Sequence, residues 1–272
     1  VSMSIHNSYF SKNNTIISNS YTNTGRNPVV ELIFGDTFNN LGFTRFIFDL
    51  DITSLQEKIS NGTISTGCTN TVTHTLRMRN TSSFDEGLLN TQTSQGSRRA
   101  TSFDLVLFRI PNNQSWDEGV GYDYTDINDG IPEDRNYSNR ASNWYQRTTL
   151  SNWSVQGLYS NQNTGSVPYT GLTIVDTQHF EFGNEDIAFD MTNEIGNILN
   201  GTLTGVTGWG IAYVPQVELL TGLTESYSVA FFTRHTQTFY EPFLETNYND
   251  LINEDRKSTR LNSSHIPLSR MP

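Results

Sequence analysis

Aromatic side chains that could bind a ligand crowd one polar stretch of the chain, residues 112–171. Three of the four tryptophans lie there, among Asn, Ser and Asp residues. Aromatic faces stack on the C–H surfaces of sugars, and neighbouring amides and carboxylates bind the hydroxyls. Loops of this length in a compact domain are often functional. The stretch therefore predicts glycan binding, with these candidate residues: Trp153, Tyr159, Trp144, Tyr145 and Tyr124.

The same stretch holds an acidic run, DEGVGYDYTDINDGIPED, that could bind a hard cation. Ca²⁺ takes six to eight oxygen ligands from clustered carboxylates and carbonyls. An EF-hand is excluded, because counting back from Gly130 places Ile127 and Thr125 at ligand positions. Two interpretations remain: an irregular Ca²⁺ loop, or a solvated acidic loop, which we favour. The Ca²⁺ ligands would be Asp123, Asp126 and Asp129, and no other cofactor is indicated.

Catalytic motifs are scarce. The sequence has neither a Gly-x-Ser-x-Gly turn nor a phosphate-binding Gly-x-x-x-x-Gly-Lys loop. His74 and His235 fall in predicted strands with an apolar face, where a hydrogen-bonded structural role is commoner than catalysis. Two facing carboxylates could hydrolyse a glycoside, but the sequence brings no pair together among Asp117, Glu118, Glu181, Glu185 and Asp186. We therefore expect a protein that is not an enzyme.

The net charge limits which classes of binding partner are expected. The formal net charge is −11, which disfavours nucleic-acid backbones and anionic membranes. No apolar run approaches the ~20 residues that span a bilayer, so neither nucleic-acid binding nor membrane insertion is expected. The single cysteine, Cys68, excludes a disulfide within the chain.

Alternating apolar and polar residues predict strands with one buried face. In FTRFIFDLDI, Phe46 and Phe48 lie on one face, with Arg45 and the aspartates on the other. SFDLVLFRI is apolar on both faces, which is typical of a central strand. Pro242 cannot donate a ladder hydrogen bond, so the last strand is expected at a sheet edge or a bulge.

The convincing helix is short and lies near residues 192–200. In TNEIGNILNG, Thr192 can cap the start and Gly201 the end. Many short strands with one such helix predict an all-β fold, an antiparallel β-sandwich of jelly-roll type. We expect an N-terminal segment at 1–13, one sandwich domain at 14–250 with the long insert at about 112–171, and a disordered tail at 251–272.

The basic tail has an unusual composition. DRKSTRLNSSH, which begins at Asp255, is what a common short-read sequencing adapter gives when translated, and the final SRMP matches the adapter's continuation. We therefore expect residues 255–272 to be non-native and to pack against nothing. The tail contributes +3 of charge, which leaves −14 for residues 1–254.

The order of the segments resembles a DNRLRE-type domain, a jelly-roll module related to carbohydrate-binding modules. TNTGRNPVVELIFG, FTRFIFDLDITSL, FDLVLFRI with SWDEG, and DIAFDMTNEIGNILNG follow the order of that family's turn, strands and short helix. Pro242 stands where the family carries Pro. The likeness covers residues ~14–248; the acidic insert between Tyr122 and Arg140 and the extra Ile47 depart from it. The resemblance implies a jelly roll in which Trp116 and Trp144 close the end of the core.

The Asn-, Thr- and Tyr-rich style of the chain is also similar to virion proteins of uncultured tailed phages. Together these likenesses predict a non-enzymatic structural or receptor-binding module of a phage tail or fibre, located in the virion. Its partners would be other virion proteins, copies of itself, or a host surface glycan. The alternative is a carbohydrate-binding module of a secreted or surface bacterial protein, which would be extracellular.

Overall fold

The computed structural model describes residues 3–35, 42–64, 72–81, 98–121, 141–160, 169–220, 223 and 226–249. These residues form thirteen strands and three short helices. The strands are β1 Met3–Ile17, β2 Val29–Gly35, β3 Thr44–Leu50, β4 Thr73–Met78, β5 Arg98–Arg99, β6 Phe103–Arg109, β7 Gln146–Thr148, β8 Ser151–Asn152, β9 Thr173–Phe180, β10 Ile187–Asp190, β11 Trp209–Tyr213, β12 Ser226–Phe232 and β13 Phe243–Asn249. The helices are α1 Thr53–Ser60, α2 Thr192–Leu199 and α3 Pro215–Glu218.

Eight antiparallel strands form the main sheet, in the order β10-β4-β13-β1-β3-β11-β6-β9. β1 pairs with β13 through its first half and with β3 through its second half, and its register shifts between Phe10 and Lys12. Such a bulge bends a strand and increases its twist. The sheet curves until it is nearly barrel-like, so the predicted all-β, jelly-roll-like fold is confirmed. Because β1 begins at Met3, residues 3–13 belong to the sheet and do not precede it.

Side chains join β9 and β10, the two end strands of the main sheet. Gln178 Oε1 accepts from Ala188 N at 2.8 Å, and Gln178 Nε2 donates to Asp186 O at 2.9 Å. Asp176 Oδ2 accepts from Asp190 N at 2.7 Å. We call these three bonds the β9–β10 clasp. They satisfy backbone groups of β10 and of Asp186, the residue immediately before it, where the curved sheet almost closes on itself.

The inner core lies between the main sheet and a small sheet of β2, β12 and β5. It is rich in aromatic residues, including Phe46, Phe48, Phe189 and Phe231, which are all buried. β4 alternates in the same way, since Leu76 and Met78 are buried between partly exposed neighbours.

A second hydrophobic cluster, here the outer core, covers the other face of the main sheet. Ile47 of β3, Val106 and Phe108 of β6 and Ala212 of β11 pack there against residues of the 141–160 segment. β6 is therefore buried on both faces and lies between β11 and β9, which confirms the predicted central strand. The prediction for β3 is wrong on one face: Arg45, expected in solvent, is 0% exposed because the 141–160 segment covers it.

Two further expectations need correction. β13 lies between β4 and β1 and is not an edge strand; Pro242 is tolerated because the strand begins one residue after it. The predicted helix is confirmed as α2, but Thr192 is its first residue and does not cap it. Asp190 Oδ1 accepts from Thr192 N instead, at 2.8 Å. Gly201, with φ of +77°, follows the helix in the left-handed conformation expected at its end.

Candidate functional site

A buried arginine anchors the segment that carries most of the predicted ligand residues. Arg45 Nε and Nη2 donate to the two carboxylate oxygens of Glu218, at 2.8 and 2.6 Å. Its Nη1 donates to the backbone oxygens of Gly157 and Tyr159, the latter at 3.0 Å. The guanidinium therefore joins three parts of the chain: β3, the end of α3 and the 141–160 segment.

Aromatic rings enclose this charge. The guanidinium carbon of Arg45 lies 3.5 Å from the ring centroid of Tyr159 and 4.9 Å from that of Trp144. The Tyr159 hydroxyl donates to Glu218 Oε1 at 3.1 Å. A planar guanidinium can stack on rings and bond a carboxylate at two points at once, which an ammonium cannot do.

The ionisation of this cluster follows from its surroundings. Burial opposes the charge on Arg45, but contacts with Tyr159 and Glu218 outweigh it and raise the pKa of Arg45 above its ordinary value. Burial raises the pKa of Tyr159 well above the usual value, so its phenol stays neutral. Each guanidinium nitrogen of Arg45 thus has a hydrogen-bond partner, which suits the ion pair to a structural role.

Gly157 shows how closely the segment packs. Its φ is +67°, and a Cβ built on it would lie 2.4 Å from the ring of Trp144. Only glycine fits a left-handed conformation with a ring in this place. Trp144 thus contacts both Gly157 and the Arg45 guanidinium.

Asn143 fixes the turn that follows. Its side-chain oxygen accepts from Tyr145 N at 2.9 Å and from Gln146 N at 3.0 Å. Its backbone oxygen accepts from the indole nitrogen of Trp153 at 2.7 Å, and Trp153 N donates to the Tyr145 backbone oxygen at 3.2 Å. These bonds hold the backbone of Tyr145 on both sides.

Tyr145 forms a pair with Tyr21 at the surface. The two ring centroids lie 4.6 Å apart with an interplanar angle of 39°, and Tyr21 is 51% exposed. Trp144 N donates to the backbone oxygen of Ser20, which joins the two turns. The adjacent β7–β8 hairpin pairs Gln146 with Asn152. We call Tyr21 and Tyr145 the tyrosine pair.

The structure separates the predicted ligand residues. Trp144, Trp153 and Tyr159 are exposed by 8% or less and lie in the outer core, so their ring faces pack against protein. The polar neighbours that suggested exposure instead bond the backbone, as Asn143 does. Tyr145 is partly exposed, while Tyr124 lies outside the described residues. Burial of Trp116 and Trp144 agrees with the expectation that they close the core.

Sequence reasoning missed Tyr21. It lies in the turn after β1, far from the aromatic stretch along the chain, and no local pattern marks it. Its place beside Tyr145 follows from the long-range packing of the 141–160 segment on the sheet.

The proposed Ca²⁺ ligands Asp123, Asp126 and Asp129 also lie outside the described residues. Within the described ranges, no group of three or more His, Cys, Asp and Glu residues is arranged to hold a metal ion. The basic segment 255–272 is likewise outside them.

Four of the five carboxylates considered for glycoside hydrolysis, those of Glu118, Glu181, Glu185 and Asp186, bond protein groups. Glu118 Oε1 accepts from Arg234 Nη1 at 3.0 Å, from His235 Nε2 at 3.1 Å and from Asn13 N at 3.1 Å. Asp186 bonds Arg79 Nη1 at 2.7 Å. Contrary to the prediction, His235 follows β12 and is outside a strand.

Glu181 lies in an exposed cluster with His179. Hydrogen bonds that the His179 ring nitrogens donate to Asp104 Oδ1, at 2.7 Å, and to Glu181 Oε2, at 3.2 Å, raise the pKa of His179. Glu185 Oε1 accepts from the backbone nitrogens of Glu181 and Phe182. These bonds order the turn between β9 and β10.

No protein-family model and no curated protein matches this chain. Among the described residues, none of the helices has the length and apolar character needed to cross a membrane.

Proposed function

We propose that this chain is a non-enzymatic β-sandwich module that binds glycan through the tyrosine pair. The observation that carries the proposal is a partly exposed aromatic pair held on a rigid base. Asn143 bonds the backbone of Tyr145, and Arg45 bonds the same segment at Gly157 and Tyr159. Such preorganisation lowers the entropy lost on binding.

The chemistry of the surface suits a sugar. A tyrosine ring offers an apolar face for the C–H side of a pyranose, and the phenol hydroxyl can bond a sugar hydroxyl. Gln146 is partly exposed and Asn152 is exposed on the adjoining hairpin. Their amides both donate and accept, as recognition of neutral hydroxyl groups requires.

We further propose that the module belongs to a phage particle, as a structural or receptor-binding component assembled with its own copies or with other virion proteins. This part rests on the style of the sequence and on the resemblance to DNRLRE-type domains. The alternative, a carbohydrate-binding module of a secreted or surface bacterial protein, uses the same surface. Neighbouring capsid, portal or tail genes would support the first, and polysaccharide-degrading genes the second.

A glycan array probed with the full chain tests the binding site. We expect Tyr21→Ala and Tyr145→Ala each to weaken binding about tenfold, the factor that corresponds to losing about 1.4 kcal/mol of stacking. Phe182→Ala, at an exposed aromatic residue between β9 and β10, is the matched control and should bind as the wild type does. If the wild-type chain binds no glycan, with or without Ca²⁺, glycan recognition is abandoned and a structural role is kept.

A further inference from the structure

Three of the four outward residues in the first half of β1 are apolar, where a solvent-facing strand is usually polar. Met3, Ile5 and Tyr9 are 69%, 62% and 47% exposed, and the partly exposed Asn7 lies between Ile5 and Tyr9 on the same face. Single exposed apolar residues are ordinary, but several on one strand face form a patch that can serve as an interaction surface.

The strand register extends this face onto β13 and β4. Tyr9 stands opposite Phe243, with ring centroids 6.2 Å apart, and Phe243 stands opposite Arg77. Ile5 stands opposite the uncharged Asn247. We call this surface, formed by the outward residues of β1, β13 and β4, the β1 face.

The β1 face is close to neutral although the chain is strongly acidic. Its Arg77 Nη2 bonds Glu245 Oε1 at 3.1 Å, so the two charges offset each other. Two copies with a net charge of −11 each repel at most orientations. Contact through this near-neutral face brings them together with the least repulsion.

We propose that the β1 face is a contact surface between two copies of this chain. A sheet face can pack on its own copy about a two-fold axis, so that the same residues lie on both sides. Aligned sheets pack about 10 Å apart in this way. The inference assigns a surface to the self-assembly part of the proposed function, and it does not depend on glycan binding.

The size of the face sets the strength of the contact. Two strands of seven residues and one of six cover a flat area of about 330 Å², from a strand spacing of about 4.8 Å and a rise of about 3.4 Å. A standard stable interface buries about 800 Å² per partner. The contact is therefore weak in solution, with a Kd of about 0.1–1 mM, and gains strength where many copies assemble together.

Sedimentation equilibrium of the full chain tests the proposal. It is run in reducing buffer at protein concentrations from about 10 μM to about 1 mM, which span the expected Kd. We expect reversible dimerisation that strengthens with added NaCl, because salt screens the repulsion between acidic copies. Ile5→Glu should abolish it. Ile174→Glu, at an exposed isoleucine of β9 with the same change in charge, should leave it unchanged.

Three results would overturn the proposal: a wild-type chain that stays monomeric at about 1 mM in high salt, an Ile5→Glu variant that dimerises as the wild type does, or equal loss in both variants. The glycan array distinguishes failure of this proposal from failure of the proposed glycan binding, because it measures binding and not dimerisation. Ile5→Glu leaves the tyrosine pair intact, and Tyr145→Ala leaves the β1 face intact.

Discussion

His74 lies on β4 in the inner part of the molecule, where burial controls its protonation. Its Nδ1 bonds Thr246 Oγ1 at 2.8 Å, and its backbone nitrogen donates to Thr192 Oγ1 at 3.0 Å. Burial lowers the pKa of His74 to about 4, against a smaller opposing effect of Asp190. The imidazole is therefore neutral in the folded protein at pH 7, and the predicted structural role agrees with its contacts.

The lowered pKa of His74 predicts a loss of stability in acid. Between pH 6.5 and 4 the unfolded chain binds a proton at this residue and the folded chain does not, so the free energy of unfolding falls as the pH falls. The full effect is about 3 kcal/mol. We expect His74→Gln to remove this contribution, so that the stability gap between wild type and variant narrows from pH 7 to pH 4 in urea titrations.

His179→Gln is the control for this titration. His179 is exposed and the pKa of its imidazole is raised, so its contribution has the opposite sign and is complete below pH 6.5. The gap between wild type and this variant should stay constant from pH 6 to 5, an interval in which the gap for His74→Gln already narrows. A constant gap for His74→Gln as well would show that burial does not hold His74 neutral.

At the scale of strands and helices, sequence patterns predicted an element well where the burial of its faces follows from its own residues. The alternation of β4, the two apolar faces of β6 and the length of α2 all follow from residues within the element. The prediction for β3 failed on its outer face because a distant segment covers that face. The predicted edge position of the strand after Pro242 failed because strand order depends on pairing that no single strand encodes.

The β9–β10 clasp is an element-scale feature with a measurable effect. Gln178→Ala removes two hydrogen bonds to β10, and we expect a loss of about 1–2 kcal/mol in the free energy of unfolding. The amide of Ala188 should exchange its hydrogen faster, because its acceptor is lost. Hydrogen exchange measured by NMR checks this. Thr177→Ala, at the exposed neighbour on β9, should leave the Ala188 rate unchanged; equal protection in both variants would contradict the clasp.

At the scale of the whole molecule, Arg45 connects the main sheet to the 141–160 segment, which carries Tyr145 of the tyrosine pair. Glu218 lies 173 residues from Arg45 along the chain. No sequence window contains both residues, which is why Arg45 was predicted to face solvent. Tyr21 and Tyr145 meet for the same reason. The composition and periodicity of the chain predict the fold class, while the site depends on contacts between distant segments.

Removing the charge of Glu218 should destabilise the whole molecule. Glu218→Gln leaves Arg45 buried without its counter-ion, and breaking a buried pair in this way costs about 3–5 kcal/mol. Glu245→Gln breaks the partly exposed pair with Arg77 and should cost under about 1 kcal/mol. Guanidinium chloride unfolding of both variants gives the comparison. Equal losses would show that the buried pair does not anchor the segment.

The completeness of the Arg45–Glu218 pair also constrains how this sequence can change over generations. Either charged residue alone in that buried place would strongly destabilise the fold, whereas both together are tolerated. A lineage that carries the pair can therefore leave it only by replacing both positions within a short interval, or by first losing the segment that covers them. The pair is therefore kept more easily than it is lost, and it preserves the backbone that carries Tyr145 while exposed side chains on that backbone change.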